Sequence, residues 1–213
     1  MSFATRLLSA AAILSLGSVS WAATLNVGQP NTNCPVATYP TIMAAVNAAS
    51  FGDTIAICPG LYPEQILITK PLTLTGITAN GIGRALVQPA TMSPLGGLSS
   101  EAVITVMNTF GVTIKNLAID ASNNGTSGCA VPVAVIHYYN ASGDVENNAI
   151  SGALVSNPQN CSNLLKLGSG FGVQVDSSGA GSFSVNIANN SIHDYTRNGV
   201  FAVGAGINGD LYT

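Results

Sequence analysis

The chain has 213 residues, of which only 7% are charged, with 23 glycines and a formal net charge of −3. Six basic side chains scattered over that length cannot form the stripe that replaces counterions around phosphates, so nucleic acid is excluded as a partner. With charge this sparse and Asn, Ser, Thr and Gly plentiful, the exposed surface must consist largely of neutral hydrogen-bonding groups, which suits sugars or a repetitive β-architecture.

Residues 1–22 read as a secretory signal. Arg6 supplies the positive start, Leu7 to Leu16 the apolar core, and Ser20-Trp21-Ala22 the small residues at the cleavage-determining positions. The apolar stretch is shorter than the roughly 20 residues a spanning helix needs. No later segment resembles a span, so none remains after signal removal. The expectation is an exported protein: secreted, periplasmic or at the cell surface. Removal of the signal leaves five basic side chains against nine acidic ones, a net charge of −4.

Residues 23–52 are predicted to form an N-terminal cap. A short strand over 24–28 leads into an irregular segment punctuated by Pro30, Pro35 and Pro40. A helix over 41–50 follows, because Ile42, Ala45, Val46 and Ala49 fall at i, i+3, i+4 and i+7, with Thr41 as its N-cap.

From Asp53 to the end of the chain, residues 53–213, the pattern changes to short β-branched runs separated by turns. The predicted strands are 54–58, 65–69, 72–75, 85–88, 103–107 and 112–119, and no further helix is convincing. Internal repetition then selects a solenoid. Ile114-Lys115-Asn116-Leu117-Ala118-Ile119, Val145-Glu146-Asn147-Asn148-Ala149-Ile150 and Ile187-Ala188-Asn189-Asn190-Ser191-Ile192 all read apolar-x-Asn-x-x-Ile. Asn208-Gly209-Asp210-Leu211 echoes Ser142-Gly143-Asp144-Val145 and begins a further copy, so the repeat is expected to be truncated at the C-terminus.

The intervals between copies vary because loops are inserted in one place, over 120–132 and 151–171. Those loops carry Cys129 and Cys161. Four cysteines in an exported chain make two disulfides the default, and sequence order favours Cys34 with Cys58 and Cys129 with Cys161 among the three pairings that exist. Zinc binding is disfavoured, since no cysteines are closely spaced and only two histidines exist; no metal site is expected. Each repeated Asn suits a tight corner, where it tolerates a left-handed backbone and its amide can bond to the next coil. That assigns a structural ladder to Asn116, to Asn147 or Asn148, and to Asn189 or Asn190, with the member of each pair left open.

The stretch from Tyr39 to Gly76, YPTIMAAVNAASFGDTIAICPGLYPEQILITKPLTLTG, resembles the N-terminal cap and first coils of pectin-lyase-like right-handed parallel β-helix proteins. The resemblance implies an all-β solenoid with a short N-terminal capping helix. Within it, Gly60-Leu61-Tyr62-Pro63-Glu64 is similar to the G-x-Y-x-E near the start of pectin methylesterases, but the paired aspartates, glutamines and arginine of their other signatures have no counterparts. Tyr62 therefore reads as a packing residue and Glu64 as a local hydrogen-bond partner.

In that superfamily substrates lie in a groove flanked by the long loops, which makes carbohydrate-groove candidates of His137, Tyr138, Tyr139 and Gln174, together with Asp176, His193, Asp194 and Arg197. Aromatic faces stack on sugar rings and polar groups fix hydroxyls. Superposing the repeats also puts Asp120, Ser151 and His193 in one column, which reads as a solvated turn in preference to a nucleophile with its base. No catalytic set is assigned. The expected function is an exported polysaccharide-binding β-helix or surface-exposed scaffold. The alternative is a pectin-active or other polysaccharide lyase, hydrolase or esterase whose catalytic coils are incomplete here. No cofactor is expected, and Ca²⁺ only for a lyase; oligomeric state is left open. Sequons stand at Asn124, Asn140, Asn160 and Asn189.

Overall fold

A run of β-branched residues too short to bury itself is stable only if a neighbouring rung covers it, and this chain supplies the neighbour from its own next turn. The computed structural model describes residues 22–28, 34, 36–77, 83–124, 131–154, 169–179 and 181–204. The predicted signal, the Cys129–Cys161 pair and the C-terminal echo at 208–211 lie outside the described residues.

Strand β1 (Thr24–Val27) and helix α1 (Ile42–Ala48) come first. Among the described residues, five coils of three strands follow. They are β2 (Thr54–Ile57), β3 (Gly60–Tyr62) and β4 (Ile66–Ile68); β5 (Thr73–Gly76), β6 (Ala85–Val87) and β7 (Glu101–Met107); β8 (Val112–Lys115), β9 (Ala118–Asp120) and β10 (Val133–Tyr139); β11 (Gly143–Glu146), β12 (Ala149–Ser151) and β13 (Gly170–Ser177); and β14 (Val185–Ala188), β15 (Ser191–Ile192) and β16 (Asn198–Gly204).

Like strands of successive coils pair in parallel and make three sheets. Sheet I has the order β1-β2-β5-β8-β11-β14, sheet II β3-β6-β9-β12-β15 and sheet III β4-β7-β10-β13-β16. This is a right-handed parallel β-helix, the hand that connected parallel strands of L-residues adopt.

The core is three columns of stacked side chains. In sheet I, Leu25, Ile55, Leu74, Ile114, Val145 and Ile187 are successive register partners. In sheet II the column is Tyr62, Val87, Ile119, Ile150 and Ile192. In sheet III it is Ile66, Ile104, Ile136, Val173 and Val200. Rungs about 4.8 Å apart put each side chain in van der Waals contact with its counterparts, and each fully buried aliphatic group contributes roughly 1.5–3 kcal/mol. Helix α1 packs on β1, β2 and β4 and so covers the first rung; Thr41 caps it by accepting from Ala44 N at 3.1 Å. Because β1 is hydrogen-bonded to β2, the strand expected within the cap is the first rung of sheet I.

The corner between sheets I and II divides the labour of the Asn pairs. Asn116, Asn147 and Asn189 take left-handed φ of 59°, 56° and 56°, which splits the predicted strand over 112–119 into β8 and β9. The second members form the ladder. Asn148 donates to Ile114 O at 2.9 Å and accepts from Leu117 N at 3.0 Å, while Asn190 Oδ1 accepts from Asn148 Nδ2 at 3.0 Å and from Asn148 N at 2.9 Å. A second column of corners, unpredicted, stands between sheets III and I, where Asn108 and Asn140 have φ of 51° and 48°.

Cys34 and Cys58 are disulfide-bonded with Cα atoms 5.9 Å apart, tying Cys34 to the residue that follows β2. Among the described residues no helix is long and apolar enough to cross a membrane.

Candidate functional site

Sheet III departs from simple alternation. Val103 and Ile104 both join the central core, as do Val135 and Ile136, whereas Ala102, Ala134 and Phe171 join a separate outer cluster with Phe201. The phase of β7 and of β10 therefore slips, and beyond the slip Thr105, His137, Gln174 and Phe201 form one outward column in register. Tyr138 falls between on the inner side. It is fully buried and donates to Val112 O at 3.0 Å, and burial followed by the Asp144 carboxylate raises its phenol far above the ordinary tyrosine range. Tyr138 is thus a core residue and leaves the set of groove candidates.

Three of the candidates meet. His137 Nε2 lies 3.0 Å from Asp176 Oδ2, and Gln174 Nε2 donates to that same oxygen at 2.6 Å. On the other edge of the ring, His137 Nδ1 lies 3.1 Å from Ser100 Oγ. Ser100 is there because Gln65 pins the segment leading into β7: its Nε2 donates to Ser93 O at 2.9 Å and Ala102 O at 2.8 Å, and its Oε1 accepts from Ser93 N at 2.9 Å. The imidazole is 2% exposed and the Asp176 side chain 20%. His137 and Gln174 are thus too covered to meet a polymer directly. Asp176 Oδ1, Gln174 Oε1 and Glu101 Oε2 are buried acceptors without partners, and burial pushes the Glu101 carboxyl above its ordinary value.

The remaining candidates lie apart. His193 Nδ1 and Asp194 Oδ2 are 2.8 Å apart in a pair whose side chains are 56% and 61% exposed. Arg197 lies over the stacked rings of Phe171 and Phe201, 6.0 and 5.8 Å from their centroids. Asp120 and Ser151 are register partners, but no hydrogen bond joins Ser151 to His193. Asp120 instead accepts from Ser122 N at 2.7 Å and Gln88 Nε2 at 3.0 Å, an anchor for the loops on either side. Glu64 uses both carboxylate oxygens to accept from Ile42 N at 2.8 Å and Met43 N at 2.9 Å, and Tyr62 donates to Cys58 O at 2.7 Å. The residues of the G-x-Y-x-E segment therefore bind the cap to the first coil. Among the described residues no group of three acidic, His or Cys side chains is arranged to hold a metal ion.

Tyr139 connects the buried cluster to an open groove. Its hydroxyl donates to Ser178 Oγ at 2.7 Å, and its ring stands edge-on to His137 with centroids 6.1 Å apart. Beyond it the groove runs along the corner between sheets III and I, lined by Asn108, Phe110, Asn140, Ser142, Ser182 and Phe183 among others. Phe110 is 73% exposed. Asn108 and Asn140 stack with Nδ2 of the second 3.5 Å from Oδ1 of the first, and Asn140 also accepts from Ser178 N at 2.9 Å. Sequence reasoning missed this groove, although Asn108-Thr109-Phe110-Gly111 and Asn140-Ala141-Ser142-Gly143 repeat an Asn-x-x-Gly signal that marks a second family of corners. For Ser100 and Glu101 there was no periodic signal at all.

No protein-family model and no curated protein matches the chain. Among solved structures, it is similar to the pectin methylesterase from Aspergillus niger in deglycosylated form, at 18% identity and a TM-score of 0.42, over 86% of this chain and 70% of that one. The pectin methylesterase PemA from Erwinia chrysanthemi is similar at 16% identity and a TM-score of 0.41, over 79% of this chain and 56% of that one.

Proposed function

We propose that the chain is an exported polysaccharide-binding β-helix whose contact surface is the groove at the corner between sheets III and I. The observation that carries this is the combination of a 73% exposed phenyl ring, Phe110, with Phe183 and a stacked pair of asparagine amides in one open channel. Phe110 and Phe183 bring two aromatic rings to one channel, and the C–H face of a sugar ring is a chemically suitable partner for them. The amide of Asn108 and the hydroxyl of Ser142 offer uncharged hydrogen-bonding groups to sugar hydroxyls, while Asn140, bonded to Asn108 and Ser178, holds the corner. Successive corners about 4.8 Å apart set these groups in a row, as an extended polymer requires. The Cys34–Cys58 disulfide supports export, since such bonds persist in oxidising compartments.

Affinity electrophoresis against pectin, polygalacturonate and neutral glucans tests the reading. Retention by at least one polymer, weakened tenfold or more in Phe110→Ala/Phe183→Ala with an unchanged circular dichroism spectrum, is the expected result. Retention by none of them, or retention indifferent to both rings, would remove it.

A further inference from the structure

We propose that Ser100, His137 and Asp176 form a hydrolytic relay for small acyl esters. The three residues come from successive coils: Ser100 immediately precedes β7, His137 sits in β10 and Asp176 in β13. The Oγ to Nδ1 distance is 3.1 Å and the Nε2 to Oδ2 distance 3.0 Å, so nucleophile, base and orienting carboxylate are each within hydrogen-bond reach of the next.

The tautomer follows from the partners. An ionised Asp176 only accepts, so it holds the proton on Nε2, and Nδ1 is left with its lone pair facing the Ser100 hydroxyl. Gln174, the register partner of His137, steadies the same carboxylate oxygen at 2.6 Å. The imidazole, at 2% exposure, and Ser100, at 7%, are both buried, and the Asp176 side chain, at 20%, is the member that reaches solvent. A base shielded from water beside a carboxylate is the arrangement in which an imidazolium formed during reaction is stabilised by that carboxylate and not by bulk solvent.

The reaction balances with water as the only co-reactant. Ser100 Oγ attacks the ester carbonyl carbon as its proton passes to His137 Nδ1. The tetrahedral adduct collapses, the alcohol leaves with that proton, and an acyl ester remains on Ser100. Water then attacks the acyl carbon and gives a proton to Nδ1. The acid departs as Ser100 Oγ recovers that proton.

The relay does not depend on glycan binding, and because Ser100 is only 7% exposed it takes only a small ester. The test uses the full chain with p-nitrophenyl acetate and diisopropyl fluorophosphate near pH 8, with circular dichroism confirming the fold of each variant. A stoichiometric burst of nitrophenol and a phosphoryl adduct mapped to Ser100 are expected. Both should vanish in Ser100→Ala, and the adduct should form at least 100-fold more slowly in Asp176→Asn, which permits the wrong tautomer. A folded wild-type chain that gains no adduct at Ser100, or an adduct that forms equally fast in Asp176→Asn, would overturn the proposal.

Discussion

Glu101 shows what burial does to one side chain. It is 6% exposed, its Oε2 has no partner, and desolvation raises its pKa. A raised carboxyl pKa means that the folded chain keeps this proton at a pH where the unfolded chain has released it. The folded state then binds more protons, and stability falls as pH rises above the ordinary value of 4.5. Urea unfolding of wild type and Glu101→Gln should therefore agree near pH 4 and diverge towards pH 8, where the variant is more stable by about 1 kcal/mol. Divergence in the opposite direction would mean that the carboxylate has a cationic partner. Tyr62 is a second buried acid: desolvation, then Glu64, pushes its phenol up to about 12, so it remains a donor to Cys58 O at every physiological pH.

The corner between sheets I and II is the element that sets the coil. Asn147 supplies the left-handed backbone, with φ of 56°, and Asn148 supplies the amide that bonds to Ile114 and Leu117 of the previous coil. The two positions should therefore respond to different substitutions. Asn147→Gly keeps the conformation and should cost less than about 1 kcal/mol, whereas Asn147→Ala should cost about 1–2 kcal/mol. Asn148→Ala leaves buried backbone groups unpaired and should cost about 2–4 kcal/mol. Equilibrium denaturation of the three variants checks the order. Gly143 belongs to the same logic: a Cβ there would meet Val112 O at 1.9 Å, so the start of β11 can pass its neighbouring rung only as glycine.

At the scale of the whole molecule, stability comes from rungs covering rungs, and the first rung is held by α1, Glu64 and the disulfide. Cys34 and Cys58 are 24 residues apart, and closing a loop of that size removes unfolded-state entropy worth about 3 kcal/mol. The double variant Cys34→Ala/Cys58→Ala should unfold at correspondingly lower urea, and an unchanged midpoint would show that the cap is held by packing alone. The solenoid was legible from Ile114, Val145 and Ile187 because a stacked fold writes its register as a repeat: residues that touch across coils must satisfy the same local constraint, so they are of the same kind. Asn116 and its counterparts were legible for the same reason, although which Asn of each pair turns the corner is a matter of backbone φ that residue type leaves open. What only the tertiary structure decided is the meeting of Ser100, His137 and Asp176, 37 and 39 residues apart. Their approach depends on the path of an irregular segment held by Gln65, and on a slip in the phase of sheet III that turns Tyr138 inward. Such contacts are made once, so no periodicity records them.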